Sequence, residues 1–364
     1  MTMPQFDSSA RNLVFILYSL AAFVIVASYL FVHLMGYGFF FFTPGGLALS
    51  MRSFNFPILI LFLLGFVTPI PLGAGSVFLF VWIVYSLCFL FAWKWRQGFH
   101  VVFAKRASAG MRRVFSNFLF VMPLLSSMVL TAALVIIYSQ GVVGIETGVP
   151  QLSPDPHEAF LDLAYAPFVE ELAFRLVPIG LVVVFYVFLL GRNVRGVSAV
   201  GNRVKLFFLA FVYPEGAKKM VGLPNVGEHG VSRGIGSIEW VMIVVTSVIF
   251  GLAHVLSPVG WEIGKVTSTF VQGFFFAVTY VVYGFEAPIL LHWYFNYYFY
   301  FFDPSVAEGF FPSTIGLLSV IEIIILLVGI FGWVAFAVVG FRKLVRFRKG
   351  QPEPPLFTDS SQSL

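Results

Sequence analysis

A lone cysteine, Cys88, in 364 residues excludes an intrachain disulfide and a multi-cysteine metal centre. Charge is scarce as well. Asp, Glu, Lys and Arg make up 11% of the chain, against roughly a quarter in a soluble domain. Phosphate-cradling and dinucleotide glycine motifs are missing, so nothing indicates nucleotide chemistry. The net charge of +5 does not argue for nucleic acid, because the positive residues gather at the edges of apolar runs. No internal repeat of the kind seen in many transporters is present. The first apolar run is too long for a signal-peptide core and lacks a small-residue cleavage pattern, which predicts a retained segment.

What the chain has in abundance is apolar surface. It is 59% hydrophobic, with 46 Phe and a mean hydropathy of +0.93. Crossing a bilayer takes about 20 mostly apolar residues. Runs of that kind occur near residues 13–35, 56–71, 76–93, 116–138, 168–190, 240–256, 267–283, 288–302 and 314–341. They predict an all-α, polytopic integral membrane protein of eight to nine helices, its partner the lipid bilayer. Pro69, Pro71 and Gly73 leave residues 56–93 as either two segments joined by a tight turn or one broken element. Residues 204–213 are too few to cross and are expected at the interface. The organisation expected is a helical N-terminal part over 1–139, a core over 159–303 with an insertion at 191–239, a last transmembrane helix over 314–341, and a disordered tail at 351–364.

Basic residues orient these segments. Lys94, Arg96, Lys105, Arg106, Arg112 and Arg113 fill one loop; Arg192, Arg195, Arg203 and Lys205 fill another; and Arg342, Lys343, Arg346, Arg348 and Lys349 follow the last run. Loops rich in Lys and Arg stay cytoplasmic, whereas residues 146–158 carry acids and no Lys or Arg and suit the opposite face.

Against this background three fragments stand out: Pro167-Phe-Val-Glu-Glu-Leu-Ala-Phe-Arg175, Phe250-Gly-Leu-Ala-His254 and His292-Trp-Tyr-Phe-Asn296. An ionised side chain at bilayer depth costs roughly 2.5 kcal/mol or more, so such residues are kept where they pair, line a cavity or react. Pro167 fits the first turn of a helix, which would put Glu170 and Glu171 at its N-terminal end. Glu171 and Arg175 are spaced for an ion pair, leaving Glu170 to face elsewhere. Phe250 and His254 lie one turn apart, as do His292 and Asn296. Each fragment alone suits a structural role, an architectural Glu–Arg pair or a hydrogen-bonded histidine. Together Glu170, His254, His292 and Asn296 offer a base, two imidazoles and an amide donor, enough to activate water and stabilise an oxyanion. Glu170, His254 and His292 are also the ligand types of a catalytic zinc site, although no HExxH pair is present. The expected cofactor is therefore none or zinc.

Glu-Glu-x-x-x-Arg, Phe-x-x-x-His and His-x-x-x-Asn, in that order on successive helices, resemble the CPBP family of type II CAAX prenyl endopeptidases and bacteriocin-processing or immunity proteins, also called the Abi domain. The resemblance spans about residues 162–300. It implies an intramembrane endopeptidase acting on a peptide or prenylated protein. In it Glu170 would be the base, His254 would bind and polarise the water, and His292 and Asn296 would form the oxyanion hole. Glu171, Arg175 and Phe250 would support them. Leu176 stands where the family has a small residue, and the 191–239 insertion lengthens the spacing to Phe250, where it would gate access or define a distinct substrate. The alternatives are a non-catalytic CPBP-type scaffold or immunity protein and an ion-coupled transporter, the latter because Glu322 lies in the last apolar run.

Overall fold

The computed structural model describes residues 8–94, 98–104, 116–190, 200–257, 260–302 and 312–348. The tail at 351–364 and most of the basic loop after Lys94 lie outside them. Long apolar sequences form long helices because in lipid every backbone polar group has to be satisfied within the segment. Helix α1 is Ser8–Phe41, α2 Ala74–Lys94 and α3 Phe118–Val142. Next, α4 (Pro156–Glu171) runs through a π-helical turn (Leu172–Leu176) into α5 (Val177–Leu190). After α6 (Val200–Val212) and α7 (Pro214–Met220) come α8 (Ser237–Leu256) and α9 (Lys265–Tyr283). Then α10 (Glu286–Trp293), a second π-helical turn (Tyr294–Tyr298) and α11 (Phe299–Phe302) precede α12 (Ile315–Arg348).

Among the described residues seven helices are long and apolar enough to cross a membrane, fewer than the eight to nine expected. The protein is nonetheless a multi-pass integral membrane protein of helical fold. The first discrepancy is at 56–71, which is not a helix. Pro57–Leu61 (β1) pairs antiparallel with Leu64–Val67 (β2), flanked by a further two-residue pairing of Ser53–Phe54 with Leu72–Gly73. Pro57, Pro69 and Pro71 deny a helix its amide donors, and Phe62 turns the hairpin with φ 53°, a left-handed conformation costly for an aromatic residue. The second is at 288–302, where the helical stretch of 17 residues reaches only about 25 Å at 1.5 Å per residue.

Pro167 is a further correction. It lies inside α4, which starts eleven residues earlier, where the Asp155 carboxylate accepts the His157 N–H at 2.9 Å and Pro156 takes the first helical position. Glu170 and Glu171 therefore close α4 rather than open it, and the N-terminus of α4 does not stabilise them.

The 191–239 insertion is well ordered where it is described. Lys218, fully buried, donates to the Gly234 carbonyl at 2.7 Å and to Glu239 at 2.9 Å, while the Glu215 carboxylate accepts the N–H groups of Val226 and Gly227. It packs against the C-terminal end of α9: Tyr280 Oη donates to the Phe211 carbonyl and Phe285 N–H to the Val212 carbonyl. At the other end of α9, Glu262 N–H donates to Thr147 and Gly264 N–H to Glu146, so residues 145–149 and 260–264 share one face.

The charge distribution predicts that this face is external. A cysteine introduced at Thr147 in a Cys88→Ala background should react with a membrane-impermeant thiol reagent in intact cells. Cysteines at Ser108 and Ser198, which lie outside the described residues, should be protected. Labelling at Ser108 would invert the orientation.

Candidate active site

The three motifs meet at one cavity of about 270 Å³, lined among others by Glu170, His254, His292 and Asn296. Glu171, Arg175 and Phe250 stand at or behind its wall. Two elements that sequence periodicity does not reveal position them. The π-helical turn after Glu171 holds Ala173, Phe174 and Arg175 fully in the protein, and the one after Trp293 carries Asn296. Such turns insert a residue into the helical register and recur at functional sites. The first also frees a carbonyl, and Phe62 N–H from the β1–β2 hairpin donates to Ala173 O at 3.1 Å. Tyr165 Oη reaches Pro57 O at 2.8 Å, fixing the hairpin beside α4. Leu59 and Leu63 of that hairpin line the cavity.

Glu171 is the hub. Its Oε1 accepts from Arg175 Nη1 at 3.1 Å and from His292 Nδ1 at 2.7 Å, with Glu171 and Arg175 both fully buried. Since a carboxylate only accepts, His292 carries its hydrogen on Nδ1. Arg175 also donates to the Gly273 carbonyl at 3.3 Å, and its guanidinium carbon lies 4.2 Å from the centre of the Phe250 ring, within cation–π range. The Phe250 ring meets His254 and His292 edge-on, at 4.8 and 5.7 Å between centroids. Phe250 therefore touches all three motifs. Gly273 went unnoticed in the sequence. A Cβ there would lie 3.0 Å from both the Arg175 guanidinium and the Phe250 ring, so the bare backbone is what lets α9 close over the ion pair.

Glu170 behaves differently from its neighbour. Its side chain is 25% exposed, with Oε2 3.7 Å from His292 Nε2, too long for a hydrogen bond. Its carboxylate makes no hydrogen bond to the described residues and is available to whatever enters. His254 Nδ1 lies 2.8 Å from the Phe250 carbonyl. A carbonyl only accepts, so the hydrogen sits on Nδ1 and Nε2 of the neutral ring presents a lone pair. The Asn296 amide, half-buried, makes no hydrogen bond to the described residues. Glu322 is exposed on α12 and does not line this cavity, nor does any described residue of the 191–239 insertion.

Zinc requires three protein ligands and an open position. Among the described residues no three His, Cys, Asp or Glu side chains are gathered to hold a metal ion. The Glu170–His254–His292 set is therefore not pre-gathered as a zinc shell among the described residues. Both histidines donate Nδ1–H to a protein acceptor, which leaves Nε2 of each as the nitrogen that faces a ligand.

Comparison with known proteins agrees with the motifs. Residues 156–298 match the family described as type II CAAX prenyl endopeptidase Rce1-like, a segment that contains all seven residues discussed above. No curated protein and no solved structure matches.

Proposed function

We infer, from the match of residues 156–298 to the type II CAAX prenyl endopeptidase Rce1-like family, that this membrane protein is an endopeptidase that hydrolyses a peptide bond with a water activated by Glu170. At family level the assignment is to an intramembrane CAAX-type protease. The observation that carries the mechanism is the contrast between two adjacent carboxylates. Glu171 is buried and spent on Arg175 and His292, whereas Glu170 faces the cavity unbonded.

A water between Glu170 and His254 gives one proton to the Glu170 carboxylate and its other hydrogen bond to the His254 Nε2 lone pair. Its oxygen attacks the scissile carbonyl carbon. The oxyanion that forms accepts from the Asn296 amide and from His292 Nε2–H. Because His292 Nδ1–H is committed to Glu171, a donating Nε2 means a doubly protonated ring. The charges of Glu170, Glu171, Arg175 and His292 then sum to zero, which suits a site at membrane depth. Glu170 finally passes its proton to the leaving amine as the C–N bond breaks. Removing one oxyanion donor typically costs about a hundredfold to a thousandfold in kcat, and Asn296→Ala is expected to show this with little change in KM.

CAAX substrates carry an isoprenoid on cysteine near a free C-terminus. The β1–β2 hairpin supplies an apolar side to the cavity through Leu59 and Leu63 and exposes Ile60, Leu64 and Phe66, a surface suited to such a chain. Purified protein in detergent should cleave a farnesylated CAAX peptide immediately after the modified cysteine, as read by product mass, and should cleave the unprenylated peptide far more slowly. A folded protein that leaves the farnesylated peptide intact would overturn the reading.

A further inference from the structure

Lys265 lines the same cavity as Glu170 and His254, and nothing in the reaction above uses it. Three features make its placement unusual. It is the first residue of α9, where the helix dipole disfavours a cation. It is only partly exposed, at the edge of a membrane-crossing segment. Its ammonium makes no ion pair or hydrogen bond to the described residues, although Asp162 and Glu170 line the cavity and Glu262 is three residues away. Among the described residues its close contact is the Trp261 ring, whose centre lies 3.7 Å from Nζ. A cation–π contact holds the ammonium in place and leaves its donors unspent.

A cation set against its own helix dipole, partly buried and in no ion pair with the described residues although Glu170 acts on it across the cavity, is suited to an anionic ligand. Resting on the endopeptidase reading, we propose that Lys265 binds the C-terminal carboxylate of the substrate and so selects for free C-termini. The scissile bond is then set at a fixed chain distance from that end, with Trp261 orienting the ammonium. A lysine that merely reaches for the membrane interface would show no such selectivity.

The test compares two probes, a fluorescein-labelled farnesylated CAAX peptide ending in a free acid and the same peptide ending in an amide. Their affinities are measured by anisotropy on the full-length Glu170→Gln protein in detergent, which should not turn them over. A charge-assisted hydrogen bond predicts that the acid binds about 10- to 100-fold more tightly than the amide. Adding Lys265→Met should bring that ratio close to one, and Lys265→Arg should keep most of it. Lys265→Gln replaces the Met variant if the latter does not fold. Equal affinity for acid and amide in the Lys265 protein, or a preference that survives loss of the ammonium, would overturn the proposal. Because the readout is binding, the two readings fail separately. Acid-selective binding without cleavage by the wild type would remove the endopeptidase reading and keep Lys265. Cleavage without acid preference would do the reverse.

Discussion

Glu170→Gln is expected to lower kcat by about 10²- to 10⁴-fold, the usual contribution of a positioned general base, while the protein remains folded and its melting temperature stays close to that of the wild type. The expectation follows from how little holds Glu170 in place. Its carboxylate has no hydrogen bond to the described residues, and His292 Nε2 lies 3.7 Å from its Oε2. Gln preserves the shape and removes the basicity. Initial rates on the farnesylated peptide and thermal unfolding on the same preparation check both halves. Retained turnover would remove Glu170 from the chemistry, and a large loss of melting temperature would make it a structural residue instead.

Arg175→Met should have the largest effect on stability. Arg175 is fully buried and is held by Glu171, by the Gly273 carbonyl and by the Phe250 ring. Taking one partner from a buried ion pair leaves the other uncompensated, which costs roughly 3–5 kcal/mol. The Glu171 carboxylate would then be stranded at membrane depth with only His292 for company. Glu171→Gln should be milder, because the amide oxygen still accepts one of its two donors, but it too should lower both melting temperature and activity, since His292 loses the anchor that fixes its ring. The measurement is thermal unfolding in detergent, with kcat on whatever fraction remains folded. Equal melting of Glu170→Gln and Glu171→Gln would contradict the different tasks assigned to the two acids.

The candidate site residues were legible in the sequence because charged and strongly polar side chains inside apolar runs have few reasons to be there. Glu170, Glu171, Arg175, His254, His292 and Asn296 all declared themselves that way, and the structure sets Glu170, His254, His292 and Asn296 on one cavity with Glu171 and Arg175 behind it. What was hidden depends on register and tertiary contact. The apolar composition of 56–71 suits a membrane helix as well as a strand pair, and its prolines read as a turn or a break between helical segments rather than as a sign of strands. Pro167 read as a helix start because proline favours that position, yet Asp155-Pro156 carries the stronger signal, a capping carboxylate followed by proline. The π-helical turns after Glu171 and Trp293 leave no compositional trace. Gly273 reads as an ordinary small residue in an apolar helix until Arg175 and Phe250 are seen to press against it. Lys265 draws no reading from the sequence, because the Trp261 contact and the cavity that single it out are tertiary.

The account turns most directly on whether Glu170 activates water without a metal. The decisive measurement is cleavage of the farnesylated peptide by protein dialysed exhaustively against a chelator, with metal content determined on the same sample. The arrangement of side chains predicts product at close to the untreated rate with well under one metal ion per chain. Activity that vanishes on chelation and returns with stoichiometric zinc would contradict it.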